Sequence, residues 1–181
     1  METIIDNLVQ NIDNTAASVV QLLAKGSMRC ATVESCTGGL VSAAITSVSG
    51  SSAVFDLGIC TYANSAKNKM VGVPCEILDT AGAVSEECAV AMAEGICRTA
   101  NADFGVSTTG IAGPTGGTPQ KPVGTVFIGI CTPEKSYAAH CFFDVKNCPR
   151  DMDERTFIRK QAAAKALSML LDAIAEQGKE V

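Results

Sequence analysis

Apolar residues recur at helical spacing from the start of the chain. Ile5, Leu8, Val9, Ile12, Ala16, Val19, Val20 and Leu23 share one face, and Gly26 after Lys25 supplies a stop. Cys30-Ala31-Thr32-Val33-Glu34 has strand composition, Ser35-Cys36-Thr37-Gly38-Gly39 reads as a tight turn, and Leu40-Val41-Ser42-Ala43-Ala44-Ile45 reads as a helix. After a turn at Gly50-Ser51-Ser52, the run Phe55 to Tyr62 predicts a second strand. Asn64 is then the expected cap of a short helix carrying Lys67 and Met70, closed by Gly72 and Pro74. Ser85 caps a helix with Glu86 and Glu87 in its first turn, where the helix dipole favours acids. Ala89, Met92, Ala93, Ile96, Cys97 and Ala100 form its inner stripe.

Phe104 to Thr108 is a short apolar strand that runs into a loop, 109–122, too rich in glycine and proline for a packed element. Strands Gly124 to Cys131 and Ser136 to Phe143 are separated only by Thr132-Pro133-Glu134-Lys135, which makes them an antiparallel hairpin. Ile158, Ala162, Ala166, Met169, Leu170 and Ala173 mark a long last helix. This alternation predicts an α/β fold: a three-layer α/β/α arrangement with a mixed, mostly parallel sheet of about five strands. With no repeat and no linker, residues 1–181 read as a single domain. The pattern leaves strand order open.

Composition narrows the function. At 47% apolar residues the chain can bury a self-sufficient core. No apolar run reaches membrane-spanning length, and Met1-Glu2-Thr3-Ile4-Ile5-Asp6 lacks the basic and apolar regions of a targeting signal, so a cytoplasmic protein without a membrane partner is expected. The net charge of −5 offers no basic stripe for nucleic acid, while a small anion remains a possible ligand. Nine cysteines, at 30, 36, 60, 75, 88, 97, 131, 141 and 148, include no C-x-x-C pair, which argues against a zinc knuckle and a disulfide framework. The one histidine, His140, lies in a strand and reads as structural or surface, so an activated nucleophile would need a lysine, tyrosine or carboxylate as its base.

Ser35 stands at the carboxyl end of a strand and the amino end of a helix, where open α/β sheets bind ligands and backbone N–H groups can hold an oxyanion. On local sequence it is equally an N-cap, and Cys36 is a rival nucleophile without an identifiable base. Tyr62 and Lys67 follow on the next strand and helix; desolvation would make the lysine a base, although a lysine on a short helix is usually solvated. The loop from Thr109 to Lys121 offers unobstructed N–H groups and one cation, suited to a phosphate, or serves as a connector. It is not a Walker loop. Arg150, Arg155, Arg159 and Lys160 can add charge near the last helix.

Glu34-Ser35-Cys36-Thr37-Gly38-Gly39, Gly50-Ser51-Ser52, Tyr62-Ala63-Asn64-Ser65-Ala66-Lys67, Gly72-Val73-Pro74, Gly82-Ala83-Val84-Ser85-Glu86-Glu87, Thr109-Gly110-Ile111-Ala112-Gly113-Pro114 and Lys121-Pro122-Val123-Gly124-Thr125-Val126 follow in the order found in the CinA C-terminal domain family, from about residue 16 to residue 172. The chain resembles that family, which also occurs as stand-alone nicotinamide-nucleotide amidohydrolase. The resemblance implies hydrolysis of nicotinamide mononucleotide to nicotinate mononucleotide and ammonia, without metal or cofactor, on a three-layer mixed-sheet fold. It implies catalytic roles for Ser35, Lys67 and Tyr62, and a substrate site that draws on Cys36, Thr37, Gly38, Thr109, Gly110, Ala112, Gly113, Lys121 and Arg155. The family commonly has Gly-Asp-Arg before the last helix, where this chain has Asp153-Glu154-Arg155. Longer members carry an N-terminal domain resembling molybdopterin-binding proteins with nucleotide pyrophosphatase activity; neither is expected here. A homo-oligomer is the expected assembly, a small-molecule nucleotide the expected partner, and a non-catalytic nucleotide-binding protein the alternative function.

Overall fold

The computed structural model describes residues 4–177; Met1-Glu2-Thr3, part of the stretch inspected for a targeting signal, lies outside the described residues. The elements in chain order are α1 (Ile4–Gly26), β1 (Cys30–Glu34), α2 (Leu40–Thr46), β2 (Phe55–Cys60), α3 (Asn64–Val71), α4 (Cys75–Thr80), α5 (Glu86–Ala100), β3 (Phe104–Gly110), β4 (Thr125–Cys131), β5 (Ser136–Phe142) and α6 (Glu154–Gln177). The sheet order is β2-β1-β3-β4-β5. β1 pairs in parallel with β2 and β3, and β4 runs antiparallel to both β3 and β5, so it alone is reversed. The three-layer mixed sheet expected from the alternation is present.

Period-two alternation splits β1 between two cores and turns the buried apolar residues of β3 and β4 to the larger one. Cys30, Phe104, Val106, Val126, Ile128 and Ile130 join the larger core, with α1, α2 and α6. Ala31 and Val33 join the smaller one, with Met92 and Ile96 of α5. On the second face small residues let α5 approach closely: a Cβ on Gly105 would collide with the carbonyl oxygen of Ala93, and one on Gly129 with that of Ala89. Ser107 occupies the step between them, its Oγ donating to the Ala89 carbonyl at 2.6 Å.

Three local expectations change. Asn64 lies inside α3 rather than capping it; the N-cap is Ala63, with no side-chain cap. Thr61 and Tyr62 stand beyond the end of β2, because β1, its one sheet neighbour among the described residues, ends at Glu34 opposite Cys60. Pro74 opens α4 rather than only closing α3: as N-cap it has no N–H to leave unpaired, and Ile77 and Leu78 pack on the smaller core. Ser85 caps α5 as expected, accepting from Cys88 N. Among the described residues no helix is long and apolar enough to cross a membrane.

The close approach of α5 gives a direct test. Gly129→Ala places a methyl against the Ala89 carbonyl and is expected to cost about 1–3 kcal/mol of stability by overpacking, measured by urea denaturation.

Candidate active site

β1 and β3 lie side by side, and the turn after β1 meets the end of β3: Ser35 N donates to the Thr108 carbonyl at 2.9 Å. Gly38 and Gly39, at φ 62° and 100°, take left-handed conformations that tighten this turn. Its anchor is Glu34, only 1% exposed. One carboxylate oxygen accepts from Thr37 Oγ1 at 2.6 Å, Gly39 N at 2.9 Å and Val41 N at 3.2 Å. The other accepts from Ser42 N at 2.8 Å and Ser42 Oγ at 2.6 Å. A buried carboxylate with this many donors does the capping that Gly39, which has no side chain, cannot. It therefore serves the turn rather than holding Lys67 by charge.

Lys67 is 1% exposed, among the largest fully buried side chains of the described residues. Its Nζ donates to the Thr61 carbonyl at 2.7 Å and to Ser35 Oγ at 3.2 Å. Among the described residues neither ion pair involves it. Burial lowers its pKa below the ordinary lysine value, and the nearby Cys88 and Cys36 oppose that shift only in part. An ammonium buried without a counter-ion is disfavoured, which shifts the balance toward the neutral amine. That amine can keep its bond to Thr61 and turn its lone pair to the serine hydroxyl. Cys36 is the weaker nucleophile: burial, with Glu34 adding to it, pushes its thiol up to about 12 against the N–H groups of Cys36 and Thr37.

The Ser35–Lys67 pair opens into a cleft of about 340 Å³, within the size range of small-molecule sites. Of the residues named from sequence, Ser35, Cys36, Tyr62, Lys67, Thr109, Gly110, Ala112, Gly113 and Arg155 line it. Thr37, Gly38 and Lys121 do not. The Thr37 hydroxyl is fully buried between Glu34 and Thr108. Gly38 faces the guanidinium of Arg159, whose Nη2 donates to the Thr37 carbonyl at 2.8 Å. Lys121 spends its ammonium on the carbonyls of Ala81 at 3.1 Å and Val84 at 2.6 Å, which pins the segment before α5. Lys121 thus positions a wall of the cleft instead of offering a free cation.

Arg155 spans the cleft mouth, donating from Nη1 to the Gly113 carbonyl at 2.7 Å and from Nη2 to Tyr62 Oη at 2.9 Å. Tyr62 is 65% exposed and meets the arginine rather than the serine. The altered residues ahead of Arg155 have a structural role: Asp153 Oδ1 accepts from Thr156 N at 2.9 Å and caps α6. Asn64, Ala83, Val84, Ile111, Thr115 and Gly116 also line the cleft and were not picked out as site residues from sequence. Asn64, Ala83, Val84 and Ile111 sit inside the motif blocks, and Thr115 and Gly116 in the glycine-rich loop from Thr109 to Lys121. His140 is exposed on the edge strand and stacks on Phe127, ring centroids 4.6 Å apart, in keeping with its structural reading. Larger grooves of about 540 and 580 Å³ lie elsewhere and contain neither Ser35 nor Lys67. Among the described residues, no three His, Cys, Asp or Glu side chains gather in a way that could hold a metal ion.

The fold and site define an α/β domain whose sheet-end cleft holds a serine hydroxyl against a buried lysine. Residues 12–174 match the model of the CinA C-terminal domain, and the chain belongs to that family. A competence-damage inducible protein of Thermoanaerobacter pseudethanolicus is 57% identical over 119 residues, covering 66% of this chain and 29% of that protein. A CinA-like protein of Anaeromyxobacter dehalogenans is 49% identical over 152 residues, 84% of this chain and 35% of that protein. The chain thus spans about a third of the length of these curated relatives. The crystal structure of the competence/damage inducible protein CihA from Agrobacterium tumefaciens superposes with a TM-score of 0.83 at 38% identity, covering 90% of this chain and 95% of that one. A CinA superfamily protein from Klebsiella pneumoniae gives 0.82 at 29% identity, over 91% and 98%.

Glu34→Ala would strip several buried donors of their acceptor. At about 1–3 kcal/mol for each unsatisfied group, a loss of at least about 3 kcal/mol is expected in chemical denaturation, with Glu34→Gln losing less.

Proposed function

We propose that this protein hydrolyses the carboxamide of nicotinamide mononucleotide, giving nicotinate mononucleotide and ammonia. The contact that carries the reading is Lys67 Nζ at 3.2 Å from Ser35 Oγ, with the lysine buried and lacking an ion-pair partner among the described residues. Membership in the CinA C-terminal domain family supports it. Neutral Lys67 takes the Ser35 proton as Oγ bonds to the amide carbon, and the N–H of Cys36, in the turn that lines the cleft, stabilises the tetrahedral oxyanion. The C–N bond breaks as Lys67 returns the proton to the leaving nitrogen, and ammonia departs from an acyl-enzyme. Lys67 then accepts a proton from water as the water attacks the acyl carbon; release of the acid restores Ser35. Arg155, at the cleft mouth, binds the phosphate, with Tyr62 holding its guanidinium in place.

Ammonia release from nicotinamide mononucleotide tests this. Ser35→Ala and Lys67→Ala are expected to abolish turnover with the fold intact, Tyr62→Phe to weaken it, and Cys36→Ala to retain it. Nicotinamide riboside, which lacks the phosphate, is expected to be a much poorer substrate. Retained activity in Ser35→Ala would overturn the nucleophile, and binding without ammonia release would make the protein a nucleotide-binding module.

The pH dependence follows from the neutral base. Because burial lowers the Lys67 pKa, kcat/KM should rise with pH along a limb centred below the ordinary lysine value and level off once the amine is free. Lys67→Arg keeps a permanent cation and should be inactive throughout that range.

A further inference from the structure

Cys97 of α5 sits over a gap in the sheet. The residue beneath it on β3 is Gly105, and a Cβ built there would stand 2.7 Å from Cys97 Sγ. Gly105 pairs directly with Cys131 in the antiparallel β3–β4 ladder, and directly opposed residues share a face. Cys131 therefore projects toward α5, as Ser107 does when it donates to the Ala89 carbonyl. The two sulfurs thus face the same space that the glycine leaves, with Cys131 Sγ 3.8 Å from the Thr132 carbonyl. Both residues are half-buried, close enough to solvent for a small solute.

The two thiols differ. The neighbouring Cys97 thiol holds Cys131 below the usual thiol range, helped by the Ser136 hydroxyl and Arg98 and opposed by burial and Glu94. The same pairing, together with burial, keeps the proton on Cys97. Elsewhere burial pushes Cys30 and Cys36 up to about 12 and raises Cys60, Cys88 and Cys141. One thiolate beside one protonated thiol is the arrangement of a nucleophilic and a resolving cysteine.

We propose that Cys97 and Cys131 are a peroxide-sensitive thiol pair that closes to a disulfide between α5 and β4. The Cys131 thiolate attacks one oxygen of hydrogen peroxide; the O–O bond breaks, hydroxide leaves and takes from solvent the proton that Cys131 had released, giving water, and Cys131 becomes a sulfenic acid. Cys97 sulfur then attacks Cys131 Sγ; the S–S bond forms, the S–O bond breaks, and the departing hydroxide takes the Cys97 proton as a second water. Two thiols are oxidised by two electrons and one peroxide is reduced to two waters. The pair lies near the start of β3, while Ser35 meets its far end at Thr108, so the bond forms away from the cleft. It would fasten to the sheet the helix whose leading segment, Ala83 and Val84, walls that cleft.

The test exposes reduced, folded full-length protein to equimolar hydrogen peroxide, alkylates the remaining thiols, and maps an unreduced digest by mass spectrometry. The expected result is a Cys97–Cys131 cross-linked peptide pair with two fewer alkylated thiols, reversed by dithiothreitol. Cys97→Ser should divert Cys131 to sulfinic and sulfonic acids, and Cys131→Ser should leave Cys97 alkylatable. Over-oxidised Cys131 beside a free Cys97 in the wild type, a different pair cross-linked first, or no loss of thiols would each overturn the proposal. Thermal melts establish that the variants fold, and the wild-type map stands without them.

Discussion

The buried carboxylate of Glu34 is the constraint on which the site depends. It closes β1, caps α2 and sets the turn that presents Ser35, all through hydrogen bonds within eight residues of itself. Burying an ionised carboxylate is unfavourable unless its lone pairs are filled, and here donors from the turn and the first turn of α2 fill them. The geometry is therefore stiff. A change in the path of the turn would leave either the charge or several amides without a partner.

Against that fixed serine the fold places a lysine under the opposite condition. Glu34 is buried and satisfied, whereas Lys67 is buried and given only a carbonyl and a hydroxyl. The two residues thus differ in role: the carboxylate holds the turn through its hydrogen bonds, and the lysine is pressed toward the neutral form a base requires. The destabilisation is local, and the two apolar cores on either side of the sheet offset it.

The second face of the sheet shows how small residues create chemistry. Gly105, Ser107 and Gly129 let α5 lie close to the sheet, and where a side chain is missing two cysteines come together. The nine cysteines are chemically unequal for that reason. Most are small apolar filler whose burial keeps them protonated, as their scattered spacing suggests.

Periodicity and turn chemistry along the chain determined the elements that rest on short-range order: the amphipathic α1, the Ser85-capped α5, the hairpin of β4 and β5, and the strand, turn and helix around Ser35. α4 escaped because its six residues follow a proline that also reads as a stop, and its packing on the smaller core is not visible locally. Motif resemblance pointed to Ser35, Lys67 and Arg155, yet their contacts belong to the tertiary structure alone. Lys67 and Ser35 are 32 residues apart in the chain, and Arg155 and Tyr62 93. Lys121 resembled a free cation until the fold set it against the carbonyls of Ala81 and Val84. Local sequence decides which backbone state a residue prefers; which charge is buried, and against what, is decided only when distant strand ends are brought side by side.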